Sequence, residues 1–308
     1  AVLIDINKDF IKRLPDGTPD NGDWHFPKLN FDCPELCEYL WENMEYWVKN
    51  FDIDGYRCDV GDRVPLEFWR EGVRRVKDIK PDFIMLNEGH KDEWIESGVF
   101  DANYCYWGFK QIFDLGEKNI NKNLKTIKHI NKQTMCFENH DTASDEYENR
   151  YERKFSKNVC DAMLVVTFTC GCVPFIYNGN EIADSCRHSL WNNRFYGKNL
   201  CVDWSEALTK DGKDRTALVK SLIKIYHNIS AINIGDIKVL TESADFTAYK
   251  KTLGDREVLV IANMTKDIQT VSLDGENLSD YQTLLSARNI IDNNVVTLSD
   301  GGYLVLYK

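Results

Sequence analysis

The sequence has no basic leader, no low-complexity segment, no internal repeat and no apolar run long enough to cross a membrane. Ala1-Val2-Leu3-Ile4-Asp5 offers only four apolar residues before an acidic one, so no signal peptide is visible. The longest uncharged stretch, Ala162 to Asn180, contains Gly171 and Pro174 and reads as a helix end, a turn and a buried strand. Basic residues are in deficit: Lys+Arg 38 against Asp+Glu 49 leaves a net charge of −11. That balance argues against nucleic acid or an anionic membrane surface as a partner. Cysteine is absent after Cys201, and the ten cysteines lie scattered in hydrophobic patterns from Cys33 onward. This is not the dense spacing of a disulfide-stapled secreted domain, so free thiols in a reducing cytoplasm are expected. Cys33-Pro34-Glu35-Leu36-Cys37 has ligand-like spacing, but no second Cys/His pair answers it. Both cysteines are expected to pack one face of a helix that starts after Pro34, and no zinc or other cofactor is expected.

What is present is a folded chain of 308 residues, 43% hydrophobic and 28% charged, long enough for about two domains. From about residue 35 to 230, helices alternate with short apolar strands, the pattern of βα units around a parallel sheet. Helices are expected over Glu35–Asn50, from Pro65 to Ile79, from about Gly108, over Asn158–Thr169 and over Thr216–His227. Strands are expected at Ile53–Val60, Phe83–Asn87, Val99–Tyr104, Thr134–Phe137 and Val173–Tyr177. After Gly235 the character changes to short strands divided by Gly, Asp and Asn turns, from Phe246–Lys250 to Tyr303–Tyr307. The fold class is therefore α/β: βα units around a parallel sheet over 1–235, followed by an antiparallel β-sandwich over 236–308.

Three of the expected strands end in polar or ionisable groups, where a barrel carries its chemistry. Asp54-Gly55-Tyr56-Arg57-Cys58-Asp59 places Arg57 and Asp59 on one face of a strand. An arginine beside a carboxylate keeps it ionised, as a nucleophile requires, although such a pair alone also reads as a structural ion pair. Leu86-Asn87-Glu88 sets a carboxyl at the mouth of an apolar run, the setting of a general acid or of a helix-starting glutamate. Phe137-Glu138-Asn139-His140-Asp141 adds a His-Asp pair suited to sugar hydroxyls, to a metal or to a helix cap. Neighbouring parallel strands lie about 4.7–4.9 Å apart. Carboxylates on adjacent strand ends therefore suit a retaining glycosidase, at about 5–5.5 Å, better than an inverting one.

Together these segments resemble the α-amylase family of glycoside hydrolases. The resemblance implies a (β/α)8 barrel in which Asp59 is the nucleophile and Arg57 its partner. It makes Glu88 the acid/base, Asp141 the transition-state stabiliser and His140 a sugar-binding residue. Gly171-x-x-Pro174-x-x-Tyr177-x-Gly179-x-Glu181 is similar to the family's eighth-strand segment. The family's Asp-x-x-x-Asn-His segment is absent, and residues 1–30 look like the end of the excursion after the third strand, closing on Trp24-His25-Phe26-Pro27-Lys28-Leu29-Asn30. The resemblance thus implies strands four to eight, with the missing N-terminal segment as a companion. Gly61-Asp62-Arg63 stands where many relatives carry Lys-His, and Val64-Pro65-Leu66-Glu67-Phe68-Trp69 is similar to the neopullulanase and maltodextrin-acting branches. The implied activity is retaining hydrolysis of α-glucans; transglycosylation with the same triad and silent glucan binding are the alternatives. Calcium is frequent in the family, but its ligands lie largely in the part not represented. Trp24, Tyr106, Trp107, Trp191 and Trp204 are candidates for stacking on glucose rings, with Trp41, Trp47 and Trp69 expected in the core.

Overall fold

The computed structural model describes residues 2–22, 25–104, 120–144, 150–189, 200–273 and 275–308. The chain divides into two compact units, Ala1–Tyr104 and Cys105–Lys308. The expected helix from Gly108 and the aromatics Trp24, Tyr106, Trp107 and Trp191 lie outside the described residues.

The first unit begins with an excursion tied by isolated antiparallel bridges, Ile11 to Leu29, Arg13 to Pro19 and Asn21 to Pro27. A helix over Pro34–Phe51 then leads into strand β1, Gly55–Cys58. Pro34 sits in the first turn, where its missing N–H costs nothing, and Asp52 ends the helix in a left-handed conformation. The second helix, Leu66–Ile79, buries Phe68, Trp69, Gly72, Val73 and Val76, the single stripe that a period of 3.6 puts on one face. Strands β2 (Ile84–Asn87) and β3 (Ala102–Tyr104) complete a parallel set in the order β1-β2-β3. Gly55 is required at the head of β1, since a Cβ there would lie 2.4 Å from the Ile84 carbonyl oxygen. Trp69 is buried as expected, but Trp47 is exposed, with ring contacts to its neighbours Tyr46 and Phe51. The reason is that this helix turns just Leu36, Cys37 and Val48 fully inward, so its aromatic band lies outside that stripe. Cys37 lies buried on the helix, whereas Cys33 precedes it as the N-cap residue.

In the second unit, β4 (Gln133–Met135) and β5 (Val173–Pro174) pair in parallel. Between them runs the helix Lys157–Thr169, capped by the Ser156 hydroxyl and buried at every residue from Val159 to Thr169. A helix apolar all round must be covered on all sides. This one shares a core with the helix Lys210–Asn228 and with an antiparallel sheet, through Tyr249, Val258, Val260, Tyr303 and Val305.

That sheet contains β6 (Asp236–Val239), β7 (Phe246–Leu253), β8 (Arg256–Asn263), β9 (Gln269–Ser272), β10 (Gln282–Asp292) and β11 (Val295–Tyr307). The expected strands at 295–298 and 303–307 are two halves of β11, which the Gly301-Gly302 step does not interrupt. Its first half pairs with β9 and its second with β8. Both halves contribute to one further apolar core with Leu259, Ile261 and Val271, so a single sheet supplies the opposing faces of the β domain. Among the described residues no disulfide is present, and seven of the nine described cysteines are buried. No described helix is long and apolar enough to cross a membrane.

Candidate active site

In the first unit, the register of β1 and β2 decides what meets what. Cys58 is paired with Asn87, so the next residues along, Asp59 and Glu88, leave the ladder side by side. The Glu88 N–H donates to the Cys58 carbonyl at 2.9 Å and carries the ladder one step further. Arg57 faces both acids: Nη1 contacts the Asp59 carboxylate, and Nη2 lies 2.5 Å from Glu88 Oε1. The two carboxylates are thus held on the two amino groups of one guanidinium, a bidentate use that lysine could not reproduce.

The chain then turns sharply. Val60 adopts φ 46°, a left-handed conformation that costs a β-branched residue of order 1–3 kcal/mol. The turn points the Val60 N–H at Glu88 Oε2, 2.8 Å away, and throws Asp59 outward. The Asp59 side chain is 77% exposed and that of Glu88 only 23%. One carboxylate is open to an incoming electrophile; the other is gripped at both oxygens.

A cavity of about 570 Å³ opens beside Asp59, lined by Phe26, Lys28, Phe31, Arg63, Val64 and Pro65 among others. Phe26 is 73% exposed on this wall. Sequence reading offered only tryptophan and tyrosine as stacking groups and passed over this phenylalanine, although it sits in the same excursion motif as Trp24. Trp204, the one stacking candidate among the described residues, is exposed in the second unit.

In the second unit, Asn139 organises the turn after β4. Its Oδ1 accepts from the Thr142 N–H at 3.0 Å and caps the short helix His140–Ser144. Its Nδ2 lies 3.3 Å from Asp141 Oδ2, and His140 Nε2 lies 3.4 Å from Asp141 Oδ1. His140 and Asp141 therefore form the expected pair, half-buried and oriented by a buried neighbour. Their role as a cap falls to Asn139 instead.

Behind this turn lies a polar network that sequence reading missed. Glu138, fully buried, accepts from Arg150 Nε at 3.1 Å, from Asn180 Nδ2 at 3.0 Å and from the Glu152 N–H at 3.0 Å. Arg150 Nη1 reaches Asp184 at 3.0 Å, and Asp184 also contacts His188 Nε2 at 2.7 Å. The Tyr177 hydroxyl closes the row on His188 Nδ1 at 2.8 Å. Tyr177 belongs to the Gly171-to-Glu181 motif, and Glu181 of that motif accepts from the Gly179 N–H at 2.7 Å. The only sequence signal was a cluster of charged residues between apolar segments, which ordinarily denotes a solvated face.

Burial alone would raise the Asp184 carboxyl. Hydrogen bonds from His188 and the Asp203 N–H, with the Arg150 charge, outweigh it and hold Asp184 at about 2. Between that value and an ordinary carboxylate pKa near ~4, the unfolded chain binds the extra proton, so stability falls as pH falls. A loss on the order of 2 kcal/mol is expected between about pH 4 and 2 from this group. Urea titrations of wild type and Asp184→Asn at several pH values test it: the variant should show the shallower decline, and parallel curves would reject the assignment.

The chain matches the family described as "Alpha amylase, catalytic domain" over residues 22–221. It is 29% identical over 280 residues to a cyclomaltodextrinase from a Bacillus species, covering 83% of this chain and 48% of that protein. It is 30% identical over 261 residues to a maltogenic α-amylase from Bacillus acidopullulyticus, covering 78% and 42%. The chain thus spans about half the length of the curated relatives it matches. A noncanonic maltogenic α-amylase from Thermotoga neapolitana shares the fold with a TM-score of 0.75 at 21% identity, over 100% of this chain and 74% of that one.

Proposed function

Because the chain belongs to the α-amylase catalytic-domain family, we propose that it acts on α-linked glucose oligosaccharides as a retaining glycoside hydrolase, within a (β/α)8-type barrel to which the first unit contributes three parallel strands and the second a parallel pair. The observation that carries the reading is the guanidinium of Arg57 gripping Asp59 and Glu88 at the ends of two paired strands. Two carboxylates side by side on adjacent strand ends suit attack by one on an anomeric carbon while the other serves the leaving oxygen.

In the proposed reaction, Asp59 attacks the anomeric carbon and the bond to the leaving sugar breaks. Glu88 supplies the proton to the departing oxygen. Glu88 then takes a proton from water, whose oxygen displaces Asp59 with a second inversion at the same carbon. The family resemblance gives Asp141 the role of stabilising the positive charge that develops on the ring, and gives His140 and Arg57 those of binding and orienting. Maltodextrins are the proposed substrate class, in line with the names of the relatives. The cavity beside Asp59, with Phe26 on its wall, offers a ring-stacking surface. No resident metal is invoked at any step. The burial of most of the described cysteines, outside any disulfide, is in keeping with a reducing, cytoplasmic setting.

The test is turnover of maltoheptaose by this chain, with the anomer of the first product read by proton NMR. An initial α-anomer supports retention; an initial β-anomer would overturn it. Adding a labelled maltose acceptor separates water from sugar as the second nucleophile, because only transfer yields labelled longer products.

A further inference from the structure

Asp62, in the Gly61-Asp62-Arg63 segment after β1, does something that neither the motifs nor the proposed reaction assigns. Asp62 lies two residues beyond Val60, in the turn after β1, with a side chain only 12% exposed. Its Oδ2 accepts from the His90 N–H at 2.9 Å, and its Oδ1 accepts from Asn87 Nδ2 at 2.8 Å. Its backbone carbonyl accepts from Lys91 Nζ at 2.9 Å. Every one of these donors belongs to the segment around Glu88. Gly89 allows the approach, since a Cβ there would lie 2.2 Å from Asp62 Oδ1. Asn87 is itself buried and held from the other side by Asn103 Oδ1 at 2.9 Å.

We infer that Asp62 is a positioning residue: it clamps the Asn87–Lys91 segment to the turn that bears Asp59, and so sets the separation and mutual aim of Asp59 and Glu88. The inference rests on the reading of Glu88 as acid/base. The two strand ends are joined by the ladder up to Cys58 and Asn87, and one step further by the Glu88 N–H on the Cys58 carbonyl. Beyond that point each loop would choose its own path. The Val60 N–H on Glu88 is one tie across the gap, and Asp62 supplies three more.

The chemistry of the clamp requires a carboxylate. Both side-chain oxygens accept, one from an amide side chain and one from a backbone N–H. Asparagine keeps the shape but offers one acceptor and one NH2 donor, so one of the two partners would meet another donor. A buried N–H left facing a donor costs its full desolvation and pushes the segment away.

Asp62→Asn is therefore the decisive variant, with Asp78→Asn on the exposed end of the helix Leu66–Ile79 as control. With maltoheptaose, kcat is expected to fall about 10²-fold, the scale of an ångström-sized misplacement, while KM stays within about twofold. Amide hydrogen exchange supplies a readout that does not depend on turnover. The amides of residues 89–91 should exchange about tenfold faster in Asp62→Asn, as loss of one hydrogen bond implies, with the helix Leu66–Ile79 unchanged. Wild-type kcat with unaltered exchange at 89–91 overturns the assignment. A wild type that turns over no glucan would sink the proposed function, and exchange at 89–91 would still decide the clamp.

Discussion

Asp59→Asn should abolish glucan turnover, by roughly 10⁴- to 10⁶-fold in kcat, as removal of a nucleophile does in enzymes that work through a covalent intermediate. The substitution is isosteric, and the side chain it alters is 77% exposed, so the folded state has little to lose. Arg57 retains its second partner, Glu88, and the Val60 N–H retains Glu88 Oε2. What disappears is an anionic oxygen able to form an ester with the anomeric carbon. The measurement is kcat for maltoheptaose beside a thermal melt of both proteins. An unchanged melt with lost turnover places Asp59 in the chemistry, whereas a variant that keeps wild-type rates removes it from that role.

The largest effect on stability is expected at Arg150. Its guanidinium is fully buried between Glu138 and Asp184, also fully buried, and it donates in addition to the Cys186 carbonyl. Burial works against its charge, yet the two carboxylates raise its pKa above the ordinary arginine value, led by Glu138. Arg150→Met removes the cation and leaves two buried carboxylates facing each other. Breaking a buried pair in this way costs about 3–5 kcal/mol. At roughly 2–4 °C for each kcal/mol, the midpoint should drop by about 6–20 °C. Arg74→Met is the comparison: that arginine also contacts two carboxylates, Glu71 and Asp78, but on an exposed helix face. Its loss should leave the midpoint essentially where it was, because water solvates the partners left behind. Equal melts for the two variants would mean that the buried network is not what holds the second unit together.

Much of this protein could be read from residue order alone, for local reasons. Pro34 and Pro65 mark helix starts because proline tolerates a first turn, and the alternation of helices with short apolar strands specifies βα units. Arg57, Asp59, Glu88, His140 and Asp141 were legible as candidates because each stands at the end of an apolar run. Strand lengths were less legible. β11 reads as two strands because Gly301 and Gly302 resemble a turn, yet pairing with β8, β9 and β10 carries it through.

Other features exist only once the chain is folded. Arg57 reads as the partner of Asp59 two residues away, but the register of β1 and β2 gives it Glu88 as well. Asp62 looks like an ordinary loop acid until the turn at Val60 carries it under Gly89 and His90. Glu138, Arg150, Asp184 and His188 stand far apart in the chain, where each alone suggests a solvated surface residue, and they meet in a dry interior. Sequence by itself marked which residues are candidates for chemistry and which segments become helix or strand, since those follow from side-chain type and period. Tertiary structure alone decided which charges face each other, because a contact across strands or loops depends on register and path, and neither is written in the order of residues within a single element.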